Sequence, residues 1–222
     1  MLSRLYANNF RTFVNFEVKF DRLNLLLGPN GSGKSSVFDL LRKLRAFIGG
    51  EAQLSEVFPA SELTNWQTTK QQKFELELQT NDGVFLYTLI LGFSDNLTKS
   101  KIEEERLELD KTILFLSNDG EAHLYGDNGK EDAVLTFDWT RSGVGFLQTR
   151  RDNTKLTTFK RHIENFLIVR PTPSLMKSES QQEEKHLALQ TENFAAWYRY
   201  LTQENLSAVQ EIFSELPKSL PG

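Results

Sequence analysis

The sequence predicts an α/β fold with an antiparallel β-meander inserted into it. Two observations carry that prediction. A short leucine-rich run that does not alternate, "LNLLL" at residues 23–27, leads into a glycine-rich turn, after which Val37, Leu40, Leu41, Leu44 and Phe47/Ile48 recur at helical spacing. Further on, alternating runs are separated by Asn81-Asp82-Gly83, Asn118-Asp119-Gly120 and Asp127-Asn128-Gly129, which are hairpin signals.

Three pieces follow in order. Residues 1–50 read strand, strand, strand, helix: "SRLYANNF" and "VNFEVKF" alternate, and "LNLLL" has the continuous apolar pattern of a strand buried on both faces. Gly49-Gly50 stops the helix. Residues 51–150 hold the antiparallel β subdomain, with "KFELELQT", "VFLYTLILGF", "TILFLS" and "EAHLYG" as strands. Residues 151–222 begin with a short helix running into a buried strand, "NFLIV", stopped by Pro171. A polar loop over 171–190 follows, then helices through Trp197, Tyr198 and Tyr200 whose aromatic residues read as core, with Ser207 and Gln210 as a capping box.

Composition narrows the function classes. Of 222 residues 39% are hydrophobic and 25% charged, an ordinary globular balance. Without cysteine there is no disulfide and no thiolate metal site. No apolar run approaches the roughly 20 residues that span a bilayer, so the expectation is a cytoplasmic protein with no membrane partner. Net charge is −4, yet residues 150–177 carry seven basic side chains against Asp152 and Glu164. That segment reads as a solvated face before it reads as a phosphate-tracking surface. His123, His162 and His186 are widely separated and have no companions at metal spacing. Glu103-Glu104-Glu105 reads as the solvated edge of a strand.

Gly28-Pro29-Asn30-Gly31-Ser32-Gly33-Lys34-Ser35 fits G-x-x-x-x-G-K-[ST] at every fixed position. Glycines let the main chain approach phosphate closely, and successive N–H groups then point inward at the positive end of a helix dipole. Lys34 is expected to reach the β- and γ-phosphates, and the Ser35 hydroxyl to ligate Mg²⁺. Ser36 is expected near the α-phosphate. Gly31, Ser32 and Gly33 supply main-chain donors. ATP and Mg²⁺ are the expected cofactors.

"NNFRTFVNFEVKF-DRLNLLLGPNGSGKSSVFDLLRKL" resembles the N-terminus of RecF/SMC-type ABC ATPases, including the AAA-labelled, OLD-like ATPases of bacterial genome maintenance and phage defence. Asn9-Phe10-Arg11, Asn24 and the phosphate loop carry the resemblance. It implies a P-loop NTPase of ABC-ATPase type, with Arg11 beside the nucleotide and Asn30 facing the phosphates. It also implies a head-to-tail dimer partner or second half of the ATPase domain, and a DNA or effector-protein partner.

The same resemblance calls for an acidic pair after a second buried strand, a metal-contacting glutamine and a serine-glycine signature. No apolar run ends in Asp-Glu; Asp110 and Asp138 stand alone, and Asp39 lies too close to the loop. Gln148, Gln181 and Gln182 are unanchored choices. The expectation is therefore the ATP-binding N-terminal part of a longer or partnered ATPase, inactive alone. Two alternatives are a small P-loop kinase with Arg150/Arg151 as a lid, and a nucleotide-gated DNA- or protein-interaction module without hydrolysis.

Overall fold

The computed structural model describes residues 1–118, 120–136 and 138–219. The chain divides into two compact units, Met1–Phe166 and Leu167–Gly222.

The first unit is built on one eight-stranded sheet in which every neighbouring pair is antiparallel. Its strands are β1 (Leu2–Asn8), β2 (Phe16–Lys19), β3 (Gln71–Thr80), β4 (Gly83–Phe93), β5 (Ser100–Leu109), β6 (Thr112–Asn118), β7 (Glu121–Tyr125) and β8 (Glu131–Thr136). The order is β2-β1-β3-β4-β5-β6-β7-β8, so the N-terminal hairpin joins the meander's own sheet. The Asn81-Asp82 and Asp127–Gly129 turns close hairpins, with Gly83 and Gly129 at positive φ. The β5–β6 turn does the same without glycine, since Asp110 and Lys111 are both left-handed at φ 46° and 69°. Asp110 Oδ1 ties that turn down by accepting the Val84 N–H at 2.9 Å.

Alternation along β3 and β4 sends Phe74, Leu76, Leu78, Phe85, Tyr87, Leu89 and Leu91 to one buried face. Three helices supply the other side of that core: α1 (Lys34–Ile48), α2 (Leu54–Val57) and α4 (Thr154–Glu164), with the short α3 (Gly143–Phe146) between meander and α4. Phe58, just past α2, stacks on Phe74 at 4.9 Å and meets Phe47 of α1 edge-on at 6.1 Å. Phe159 of α4 packs on Phe85 and Tyr87, each at 5.7 Å. α4 is capped by Asp127 of the β7–β8 turn, whose carboxylate accepts the Thr154 and Lys155 N–H groups at 2.9 Å.

Glu105 corrects the expectation of a solvated edge. A β-bulge opposite Ile90/Leu91 places Glu103 and Glu104 both outward, and the phase change turns Glu105, Leu107 and Leu109 into the core. Glu105 is fully buried. It accepts hydrogen bonds from Tyr87 Oη at 2.9 Å, Ser142 Oγ at 2.5 Å and the Gly143 N–H at 2.7 Å. Burial pushes its carboxyl up, against the lowering effect of those bonds. Burial and the neighbouring carboxylate push the Tyr87 phenol well up.

Two predicted buried strands do not form. Residues 22–28 run in no regular structure, with Leu23, Leu25 and Leu27 exposed at 92%, 79% and 81%. The "NFLIV" run is likewise irregular, and Leu167 and Val169 are exposed. A strand buried on both faces requires strands beside it to pair its backbone and packed layers over both of its faces. Among the described residues neither segment joins the eight-stranded sheet.

The second unit carries α5 (Phe194–Glu204) and α6 (Leu206–Ser219) after an irregular stretch. Phe194 stacks on Tyr198 at 6.2 Å, and Tyr198 meets Phe213 edge-on. The aromatic face is only half a core: Trp197, Tyr198 and Tyr200 stay partly accessible, and Ala196 is the buried residue of α5. α6 begins at Leu206, which places Ser207 inside the first turn, bonded to Asn205 Oδ1 at 3.0 Å, and not at the cap. Among the described residues no helix is long and apolar enough to cross a membrane.

Candidate functional site

The glycine-rich turn does open a helix. Gly33 is the residue before α1 and holds φ 89°, and Gly31 holds φ 82°, both left-handed values that favour glycine. Gly33 has a second reason to lack a side chain. A Cβ there would lie 2.7 Å from the Phe13 ring and 3.3 Å from Thr12 Oγ1. Phe13 is fixed in turn by stacking on Phe16 at 4.1 Å. The floor of the loop is thus set by the turn that follows β1.

The first helical bond of α1 runs from the Val37 N–H to the Gly33 carbonyl, 3.2 Å. The N–H groups of Lys34, Ser35 and Ser36 precede that ladder and point out of the helix start, where an anion is favoured. Lys34 curls back over the loop. Its ammonium donates to the Gly28 carbonyl at 2.6 Å, the Pro29 carbonyl at 2.7 Å and Ser32 Oγ at 3.2 Å. A cation held among oxygens at this point can exchange them for phosphate oxygens, a stronger charge-assisted pairing. Ser35 and Asn30 are exposed on the same loop, and Ser36 is half-buried. The geometry fits a polyphosphate, with Ser35 available to a magnesium ion.

Arg11 lies at a left-handed φ of 51° and is engaged by carboxylates. Nη1 donates to Asp39 Oδ2 at 2.8 Å; Nη2 and Nε donate to Glu62 Oε1 at 2.8 and 3.3 Å. Burial works against its charged form, but the bonds to Asp39 and Glu62 outweigh that and hold its pKa above the ordinary value. Asn9 is wholly buried: its side-chain amide donates to the Thr69 and Gln71 carbonyls and its Oδ1 accepts the Thr64 N–H. Asn24 closes a small turn on the main chain of Asp21.

Other singled-out residues do not converge on the loop's contacts. Asp138 caps its own turn by accepting from Thr140, and those bonds hold its carboxyl below the usual range. Asp110 serves the β5–β6 turn. Gln148, Gln181 and Gln182 are exposed. Sequence reasoning missed Glu62 and Lys43. Lys43 is buried on α1, pairs with Glu62 Oε2 at 2.9 Å and donates to the Val57 carbonyl. Lys43 follows Asp39 by one helical turn, the only local hint that both serve one face; nothing local marks Glu62.

A phosphate loop that opens a helix on an α/β scaffold defines the class, a P-loop nucleotide-binding protein. Residues 1–219 match the family described as AAA ATPase domain, and the chain belongs to that family. It is an ATP-binding domain of AAA type. No curated protein matches it significantly.

Proposed function

We propose that this chain is the ATP-binding part of a RecF/SMC-like ABC-type ATPase whose hydrolytic elements come from elsewhere. The observation that carries the proposal is the exposed row of Leu23, Leu25 and Leu27 immediately before the phosphate loop. Three alternate leucines in water cost on the order of 1.5–3 kcal/mol each relative to burial. They mark a strand position waiting for neighbours, and in ABC-type domains the neighbouring strand brings the acidic pair. Gly31, Ser32, Gly33, Lys34, Ser35 and Ser36 hold the nucleotide's phosphates, Asn30 faces them, and Ser35 takes the metal. The partner is a second half of the ATPase domain or a head-to-tail subunit, and the pathway is DNA maintenance or phage defence.

The kinase and interaction-module readings gain less support. Arg150 is committed to Asp132 and Asp152, Lys155 to the Asp127 carbonyl and Lys160 to the Gly145 carbonyl. Arg150 and Lys155 hold α4 and the loop before it to the meander, and Lys160 ties α4 to α3, which leaves fewer cations for a lid or for a nucleic-acid backbone.

The test is calorimetric binding of Mg-ATP by this chain and by Lys34→Ala, with phosphate release followed in the same samples. Binding that Lys34→Ala weakens at least tenfold, without release, is the expected result. Steady phosphate release by the wild-type chain alone would refute the dependence on an outside element.

A further inference from the structure

We infer that Arg11 is a positioning residue of the phosphate loop, acting on helix α1 through Asp39 and Glu62. The inference rests on the nucleotide-binding reading above for its affinity readout.

Three of the five guanidinium N–H groups are already used, one on Asp39 and two on Glu62. The main chain is held as well, since the Arg11 N–H donates to the Glu62 carbonyl at 2.7 Å. Arg11 keeps a left-handed φ, which a non-glycine residue adopts only when its surroundings enforce it. Asp39 and Lys43 stand at i and i+4 on one face of α1, and Glu62 accepts Arg11 on one oxygen and pairs with Lys43 on the other. The helix is therefore pinned at two successive turns by a single charge network.

That network begins about 7.5 Å along the axis from Lys34, within the first two turns of the helix whose N-terminus meets the phosphates. The residues directly after Arg11 complete the arrangement, because Thr12 and Phe13 press on Gly33. One turn of chain thus sets both the start of α1 and its second turn. Arg11 fixes where the loop's N–H groups aim, and anion binding depends on that aim.

The test is a double-mutant cycle on Mg-ATP affinity with the full chain: wild type, Arg11→Ala, Asp39→Ala and the double variant. Each single change is expected to weaken binding about three- to tenfold, and the double variant to bind no more weakly than the poorer single. If the losses multiply instead, Arg11 contributes independently of Asp39 and the inference falls. Unchanged affinity in Asp39→Ala overturns it equally.

Arg11→Lys, which keeps the charge and carries less folding risk, is taken through the same cycle with the same criteria. Should the wild-type chain bind no ATP, the proposed function fails by itself, and amide exchange of the ligand-free protein decides this point. Amides 37–43, hydrogen-bonded within α1 from Val37 onward, are then expected to exchange about three- to tenfold faster in either single variant and no faster in the double. Unaltered exchange in Arg11→Ala would sink the positioning role.

Discussion

The meander core and the approach to the phosphate loop use the same kind of residue to opposite effect. Leu76, Leu89 and Leu107 are fully buried on β3, β4 and β5. Leu23, Leu25 and Leu27, no less apolar, face solvent. The difference is partners. Each meander strand finds a neighbour across a short turn, and α1, α2 and α4 cover the face that those strands present. The 23–27 run follows the β1–β2 hairpin, yet the sheet's edge beside it, β2, stops at Lys19, and no other strand lies alongside among the described residues. Hydrophobicity creates the demand for burial; topology decides whether it is met.

The sharpest way to break this contrast is at the aromatic junction of sheet and helices. Phe74 is fully buried against Phe10 and Phe58. Phe74→Ala is expected to cost about 3–5 kcal/mol in urea unfolding. A loss below about 1 kcal/mol would mean that the packed side of the comparison is looser than described.

Glu105 gives a smaller effect with a definite sign. Its carboxyl is raised in the folded protein. The associated stability is fully present below the unfolded value of about 4.5 and is lost as pH rises through the folded pKa. Wild type should therefore lose stability relative to Glu105→Gln on going upward from about pH 4.5, the ordinary value for this carboxyl. Parallel stability-versus-pH curves for the two proteins would contradict that account.

The least change is expected on the unpartnered side. Leu25→Ser should move the unfolding free energy by less than about 0.5 kcal/mol, because nothing is packed on the side chain it removes. Melting temperatures of the two proteins measured side by side would check this. A loss comparable to that of Phe74→Ala would show the leucines buried in solution and erase the comparison altogether.

Local chemistry was legible wherever neighbours in sequence are neighbours in space. The Asn81-Asp82-Gly83 and Asp127-Asn128-Gly129 turns, the alternation of β3 and β4, and the apolar face of α1 could be read directly, while Asp119 of the third turn lies outside the described residues. Local reading misled where one residue changed the phase. Glu103-Glu104-Glu105 looks like one solvated stretch, and only the bulge in the β4–β5 pairing shows that its third member is core. The Asp110-Lys111 turn was less marked, since it lacks the glycine of the other hairpins and Lys has no preference for a left-handed conformation.

By itself the sequence determined the phosphate loop and the residue types that a polyphosphate needs, because that chemistry is written in eight consecutive positions. The tertiary structure alone decided where Arg11 spends its charge, since Asp39 and Glu62 lie 28 and 51 residues away along the chain. It also decided which apolar runs become core. Burial requires a partner surface, and a partner surface is a property of the fold and of no single segment.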